Sequence, residues 1–278
     1  MGRCVVPEAE AVLDKEFPVL DKGFVRLVDY MGSDSRIVQA ARVSYGAGTK
    51  TVRQDAGLID YLLRNEHTSP FEQVVFTFHA KMPVFVARQW VRHRTARLNE
   101  ISGRYSVMAD EFYVPGPEDV AEQSEDNKQG RNDEPMEADR AEGVREVIRN
   151  AHETAYAEYG RLLDEGTARE LARIVLPLSL YTEWYWQIDL HNLFRFLKLR
   201  LDPHAQREIR AYAAVMKDLA ALVCPMAFES FERHILGGVR FTEAEMAALE
   251  RMITGGEHGL TGRDAERFEA KLAERRQT

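Results

Sequence analysis

Apolar residues recur at three- and four-residue steps from Ser33 to Ser44 and from Val52 to Arg64, the spacing that gathers them on one helical face. Phe24 to Tyr30 reads instead as a short strand, and Val74 to Ala80 alternates β-branched and aromatic residues as a second one. HTSPFEQ, residues 67–73, is a turn leading into that second strand, and Pro83 suits the first turn of a helix running to about His93. Aromatic alternation predicts another strand within Leu176 to Ile188. Helical spacing predicts helices over Ala138 to Leu163, Leu190 to Leu199, Gln206 to Val223, Thr242 to Met252 and Gly262 to Arg276. With no internal repeat and no evident linker, the pattern predicts one α+β domain, with a mixed or antiparallel sheet and several long helices.

Composition changes this picture in one place. The net charge of -8 is concentrated between Gly116 and Glu142, where ten acidic residues face Lys128, Arg131 and Arg140. The remainder is close to neutral, which argues for local anion sites rather than a broad nucleic-acid-binding face. The segment from Gly116 to about Glu137 lacks apolar periodicity and predicts a mobile, solvated loop or insertion. No apolar run approaches the roughly 20 residues that span a bilayer, and MGRCVVPEAEAVLDKEF has no signal-like core. Two cysteines, Cys4 and Cys224, form neither a disulfide framework nor a CxxC pair, so the expected compartment is the reducing cytoplasm.

The chemistry is densest between Arg88 and Tyr105. Val84, Phe85, Val86, Trp90 and Val91 mark a largely buried helix, yet it ends in Arg92, His93 and Arg94. Adjacent cationic groups are tolerable only in water or against an anion, and guanidinium groups take phosphate bidentately. Asn99 and Glu100 can pair with a base or sugar edge. Ser102, Gly103 and Arg104 add a hydroxyl, room for close backbone approach and another guanidinium. The same residue types also suit a surface loop held by salt bridges.

RHRTARLNEISGRY, residues 92–105, resembles the signature RHRxxSxNExSxRY of the flavin-dependent thymidylate synthases, with Arg97 where that family usually has Ser. HTSPFEQ, ARIVLPLSLYTEW (172–184) and DLHNLFRFLKLRLDPHAQREIR (189–210) resemble further blocks of the family in the same order. The likeness covers about residues 24–235, as a catalytic domain carrying an acidic insertion at about 116–137. Residues 1–23 precede it, and a helical tail, 236–278, follows.

The resemblance implies FAD-dependent reductive methylation of dUMP to dTMP, with methylenetetrahydrofolate as carbon donor and NADPH as the reductant of the flavin. It implies a homotetramer with active sites at subunit interfaces, while charge and hydropathy predict no nucleic-acid or membrane partner. Carried over by position, dUMP would meet Gln89, Trp90, Val91, Arg92, Glu100, Ile101, Ser102, Gly103, Arg104, Arg173 and Arg200. FAD would meet Ser44, Ser69, Arg92, His93, Arg94, Glu100, Asp189, Leu190, His191 and Arg195. Arg200 is the implied catalytic residue, stabilising negative charge at uracil N3 and the neighbouring carbonyl. Arg195 stands where the family has His or Asn. It and Arg97 would pair either with FAD phosphates or a glutamyl tail, or with nearby carboxylates.

No Pro-Cys-His-Gln motif is present for thiolate attack on the base, and Cys224 reads as a buried structural thiol. Two other classes remain open at this level. A metal-dependent nucleotide hydrolase would use His67, His93 and His204, although their spacing fits no standard ligand pattern, and no metal site is expected. A non-catalytic nucleotide-binding protein is the other.

Overall fold

A computed structural model describes residues 4–43, 52–125 and 128–274. The chain divides into two compact units, Met1–Ser230 and Phe231–Thr278. In the first, β1 (Phe17–Val19) and β2 (Gly23–Met31) follow a one-turn helix, α1 (Pro7–Glu10). Two helices, α2 (Asp34–Arg42) and α3 (Val52–Arg64), lead to β3 (Val75–Pro83), α4 (Val84–Trp90) and β4 (Arg97–Glu100). A small hairpin, β5 (Ala121–Gln123) and β6 (Arg131–Pro135), precedes the long α5 (Ala138–Asp164) and short α6 (Arg169–Ala172). Then come β7 (Tyr181–Asp189), α7 (Leu190–Arg200), α8 (Arg207–Val223) and α9 (Pro225–Phe231).

Five strands form one antiparallel sheet in the order β1-β2-β3-β7-β4. Period-two alternation gives the sheet a buried face: Val25, Leu27, Phe76, Phe78, Ala80, Trp184 and Trp186 are all buried. Helices α4, α7 and α8 pack with β7, with one another or with β2. The strongest knot of this core is aromatic. Trp90, wholly buried, has the rings of Trp184, Trp186, Phe196 and Tyr212 within 5.2–5.9 Å, and both tryptophans meet it edge-on. Loss of a buried side chain of this kind costs about 3–5 kcal/mol.

The predicted helices and strands are present with shifted ends. Pro83, expected inside a helix, closes β3 and serves as the N-cap of α4, and the chain turns from sheet to helix without a loop. The acidic segment departs from expectation. It holds the β5–β6 hairpin and buries Val120, and Arg131 reaches the buried Glu208 of α8 at 2.8 Å. Apolar poverty is offset there by ion pairs to the body, which a one-dimensional pattern does not register.

The second unit holds α10 (Glu243–Ile253) and α11 (Gly262–Glu274). Thr242 and Glu245 form a reciprocal capping box at the start of α10. Lys271 of α11 reaches Glu245 at 2.7 Å, and Phe268 packs on Phe241. Among the described residues no helix is long and apolar enough to cross a membrane.

One cap in the first unit links distant segments. Asp34 opens α2, yet its carboxylate accepts from the backbone N–H groups of Met226 (2.8 Å) and Ala227 (3.0 Å) at the start of α9. Burial pushes its pKa up to about 6, against the opposing pull of those two donors. The folded protein therefore holds this proton over roughly pH 4–6 where the unfolded chain releases it, and stability drains as pH rises through that window. Chemical unfolding of wild type and Asp34→Asn between pH 4 and 7 is expected to give stability curves that are not parallel. The wild type should lose up to about 3 kcal/mol relative to the variant across the range. Parallel curves would contradict the assignment.

Candidate functional site

Two clefts gather the charged residues of the sequence motifs. The first lies where α4 and α7 end side by side. Trp90 pins the last turn of α4 in the core, so the chain emerges directly into Arg92, His93 and Arg94. α7 starts as soon as β7 ends, because Asp189 caps it through the Asn192 backbone N–H at 2.9 Å. That start fixes where Arg195 and Arg200 fall. Together Arg92, His93, Arg94, Arg195 and Arg200 line a cavity of about 300 Å³, with Asn192 and Ile188 in its wall.

Within it Arg200 is firmly held. Its Nε–H donates to His93 Nε2 at 3.0 Å, and Nη2 donates to the Gln89 carbonyl at 3.0 Å, an orphan acceptor at the end of α4. His93 must then be neutral, with its proton on Nδ1. Burial, reinforced by the Arg200 and Arg195 charges, brings its pKa down to about 4, which keeps it in that form at neutral pH. Burial and the nearby Arg92 lower the pKa of Arg200 as well, though a guanidinium stays charged. The side chains of Arg92, Arg94 and Arg195 make no hydrogen bond or ion pair with any described residue. The carboxylate partners considered for Arg195 are therefore not found. Arg97 likewise has no carboxylate and donates to Gln187 at 3.3 Å. Four guanidinium groups thus share one cavity with no carboxylate partner among the described residues.

The second cleft, about 220 Å³, lies at the opposite end of β4 and shares no lining residue with the first. Glu100, Ile101, Gly103 and Arg173 line it, with Thr182 and a wall of Leu176, Pro177 and Leu178. Its floor is set by a small hydrophobic cluster under α5, in which Met108, Phe112, Tyr159 and Leu180 are buried. Tyr156 donates to the Met108 carbonyl at 3.1 Å, and the Met108 N–H donates to the Tyr159 hydroxyl at 3.2 Å. Gly103 rests on that floor: a Cβ there would lie 3.0 Å from Met108 Sδ and 3.2 Å from Arg173 Cδ. Only glycine lets the two pack so closely without displacement. Glu100 is held by a hydrogen bond from Thr182, and Arg104 pairs with Glu170 at 3.3 Å.

Residues expected at the site are thus split. Gln89, Arg92, His93, Arg94, Arg195 and Arg200 fall at the first cleft or on the turn that holds it. Glu100 to Arg104 and Arg173 fall at or beside the second. Trp90 and Leu190 are wholly buried, so their side chains belong to the core. Val91 and His191 are half-buried, Ser69 is exposed before β3, and the Asp189 carboxylate is engaged as the α7 cap. Ser44 lies outside the described residues. His67 stands edge-on to Tyr61 and His204 pairs with Asp202, and no group of three His, Cys, Asp or Glu side chains converges among the described residues. Cys224 is wholly buried and its thiol pKa is pushed up by burial, which suits a structural role. Asn192 and Thr182 were missed from sequence. The Asp-x-x-Asn spacing from Asp189 marks Asn192 as a cap partner, but nothing local points Thr182 at Glu100.

The family model for thymidylate synthase complementing protein matches residues 26–226, and that for the thymidylate synthase ThyX C-terminal domain matches residues 239–278. A flavin-dependent thymidylate synthase of Treponema denticola is 64% identical over 265 residues, covering 95% of this chain and 100% of that one. Its counterpart in Thermus thermophilus is 56% identical over 237 residues, covering 85% and 86%. A crystal structure of the UMP/dUMP methylase PolB from Streptomyces cacaoi, bound with 5-Br UMP, superposes with a TM-score of 0.71 at 37% identity, covering 77% of this chain and 96% of that one. With motif, fold and cationic clefts in agreement, the chain belongs to the flavin-dependent thymidylate synthases.

Proposed function

We propose that this protein methylates dUMP to dTMP with bound FAD, using methylenetetrahydrofolate as carbon donor and NADPH as reductant, in the segment 24–235. The single observation carrying this reading is the cavity in which Arg92, Arg94, Arg195 and Arg200 stand together with no carboxylate partner among the described residues. Like charges so placed repel one another and are stabilised by a phosphate-rich ligand, which fits both a nucleotide and the pyrophosphate of FAD. Arg92, His93, Arg94 and Arg195 would hold FAD, and the bound flavin would supply the redox chemistry. The protein supplies position and charge.

Arg200 is the catalytic group in this reading. Two of its five N–H donors are spent on His93 and Gln89, which fixes the guanidinium plane and leaves three for a uracil edge. A cation aimed at N3 and its carbonyl stabilises the negative charge that builds there when C5 becomes nucleophilic. Neutral His93 supports this by accepting from Arg200 rather than competing with it. Arg173, Ser102 and Arg104 would grip the rest of dUMP.

The separation of the two clefts favours a site completed between copies of the chain, consistent with a homotetramer. Around the second cleft Leu171, Ile174 and Leu178 are exposed, Ile174 at 75%. Apolar side chains so placed beside a substrate cleft suit burial against another subunit.

Purified protein reconstituted with FAD is expected to bleach on adding NADPH and to form dTMP from dUMP and methylenetetrahydrofolate. Arg200→Ala should lower kcat/KM by about 10²–10³-fold with the fold retained. Failure of the wild type to bind flavin would overturn the function, and near-normal turnover by the variant would remove Arg200 from the chemistry. The double variant Ile174→Asp, Leu178→Asp should fall to a smaller species in sedimentation and lose turnover. An unchanged mass would show that this surface is not the interface.

A further inference from the structure

The β5–β6 hairpin is joined to the first cleft by a continuous run of contacts. Arg131 of β6 donates to Glu208 Oε1 at 2.8 Å, and Tyr113 donates to the same oxygen at 3.2 Å. Asp119, just before the hairpin, meets Arg207 Nε at 2.9 Å and lies 3.7 Å from Arg131. Glu208 is only 2% exposed, so its charge is stabilised chiefly by Arg131. Arg207 and Glu208 form the first turn of α8, and the residue before them, its N-cap Gln206, does not use its side chain as a cap. The Gln206 side-chain oxygen instead accepts a hydrogen bond from the Gln89 amide. Gln89 in turn offers its backbone carbonyl to Arg200.

We infer that Gln206 is a positioning residue for Arg200: the acidic segment locks the start of α8, and Gln206 transmits that placement through Gln89 to the guanidinium. This rests on the function proposed above for Arg200, but the brace itself is a property of the fold. The segment then has a role in the reaction without touching substrate. Its Asp119 anchors Arg207, and its Arg131 anchors Glu208 of α8, while Glu118, Glu122, Asp133, Glu134 and Glu137 are exposed.

The test compares Gln206→Ala with Gln206→Glu, which keeps an acceptor oxygen toward Gln89. Gln206→Ala is expected to lower kcat about tenfold, the worth of one hydrogen bond of about 1.4 kcal/mol, with little change in KM for the folate or in melting temperature. Gln206→Glu should recover most of that loss. Arg131→Ala, cut at the far end of the brace, should reproduce the kcat defect more weakly. Independently of turnover, ¹⁵N-arginine spectra should show the Arg200 Nε–H exchanging with solvent faster in Gln206→Ala than in wild type or Gln206→Glu. Wild-type kcat and unchanged Arg200 exchange in Gln206→Ala would overturn the inference, as would an equal loss in both Gln206 variants. If wild-type protein makes no dTMP, the proposed function fails, while the exchange comparison still decides whether the brace holds Arg200.

Discussion

Everything at the first cleft depends on Trp90 being buried. Its indole is surrounded by Trp184 and Trp186 from β7, Phe196 from α7 and Tyr212 from α8, so one side chain registers four elements against one another. Because α4 is only two turns long and follows β3 directly, it has little stability of its own. Tertiary burial of Trp90 holds it, and the next residues leave the core at a fixed point. Arg92, His93 and Arg94 are therefore not a mobile basic loop. They are the exposed end of a buried anchor.

This arrangement carries an electrostatic cost that the fold manages in two ways. Arg200, the most enclosed of the guanidinium groups, is oriented by neutral partners, the His93 ring and the Gln89 carbonyl, rather than neutralised by a carboxylate. Its charge thus remains available to a ligand. The remaining repulsion among Arg92, Arg94 and Arg195 is left partly solvated, where water screens it. A ligand carrying phosphates relieves that repulsion, so binding energy is built into the ligand-free protein. Arg131, Arg207 and Arg104, by contrast, have carboxylate partners. The contrast marks the cleft as an anion site more clearly than its charge count does.

Much of this was legible in the sequence where burial follows local periodicity. The helix Val52–Arg64 and the strand and helix joined at Asp189 were readable because their inward faces repeat at helix or strand spacing. β4 was not, since Arg97–Glu100 is exposed throughout and becomes a strand only by pairing with β7. The β5–β6 hairpin was hidden for a related reason: ion pairs to α8 hold it where an apolar face would normally do so. The motif RHRTARLNEISGRY named residues of both clefts, but its linear order concealed their separation. β4 runs between them, placing Arg92 and Gly103, eleven residues apart, at different clefts. The pairing of Arg200 with neutral His93 also had no sequence signal, because it joins two helix ends distant in the chain.

On the function proposed above, one working site needs the Arg200 cleft of one copy and the Arg173 cleft of another. Subunit mixing tests it most directly. Arg200→Ala and Arg173→Ala, each inactive alone, are denatured together, refolded and assayed for dTMP formation. The account expects activity to reappear in the mixture and not in either variant refolded by itself. A mixture that exchanges subunits and stays as inactive as its components would mean that both arginines must come from one chain, and would contradict it.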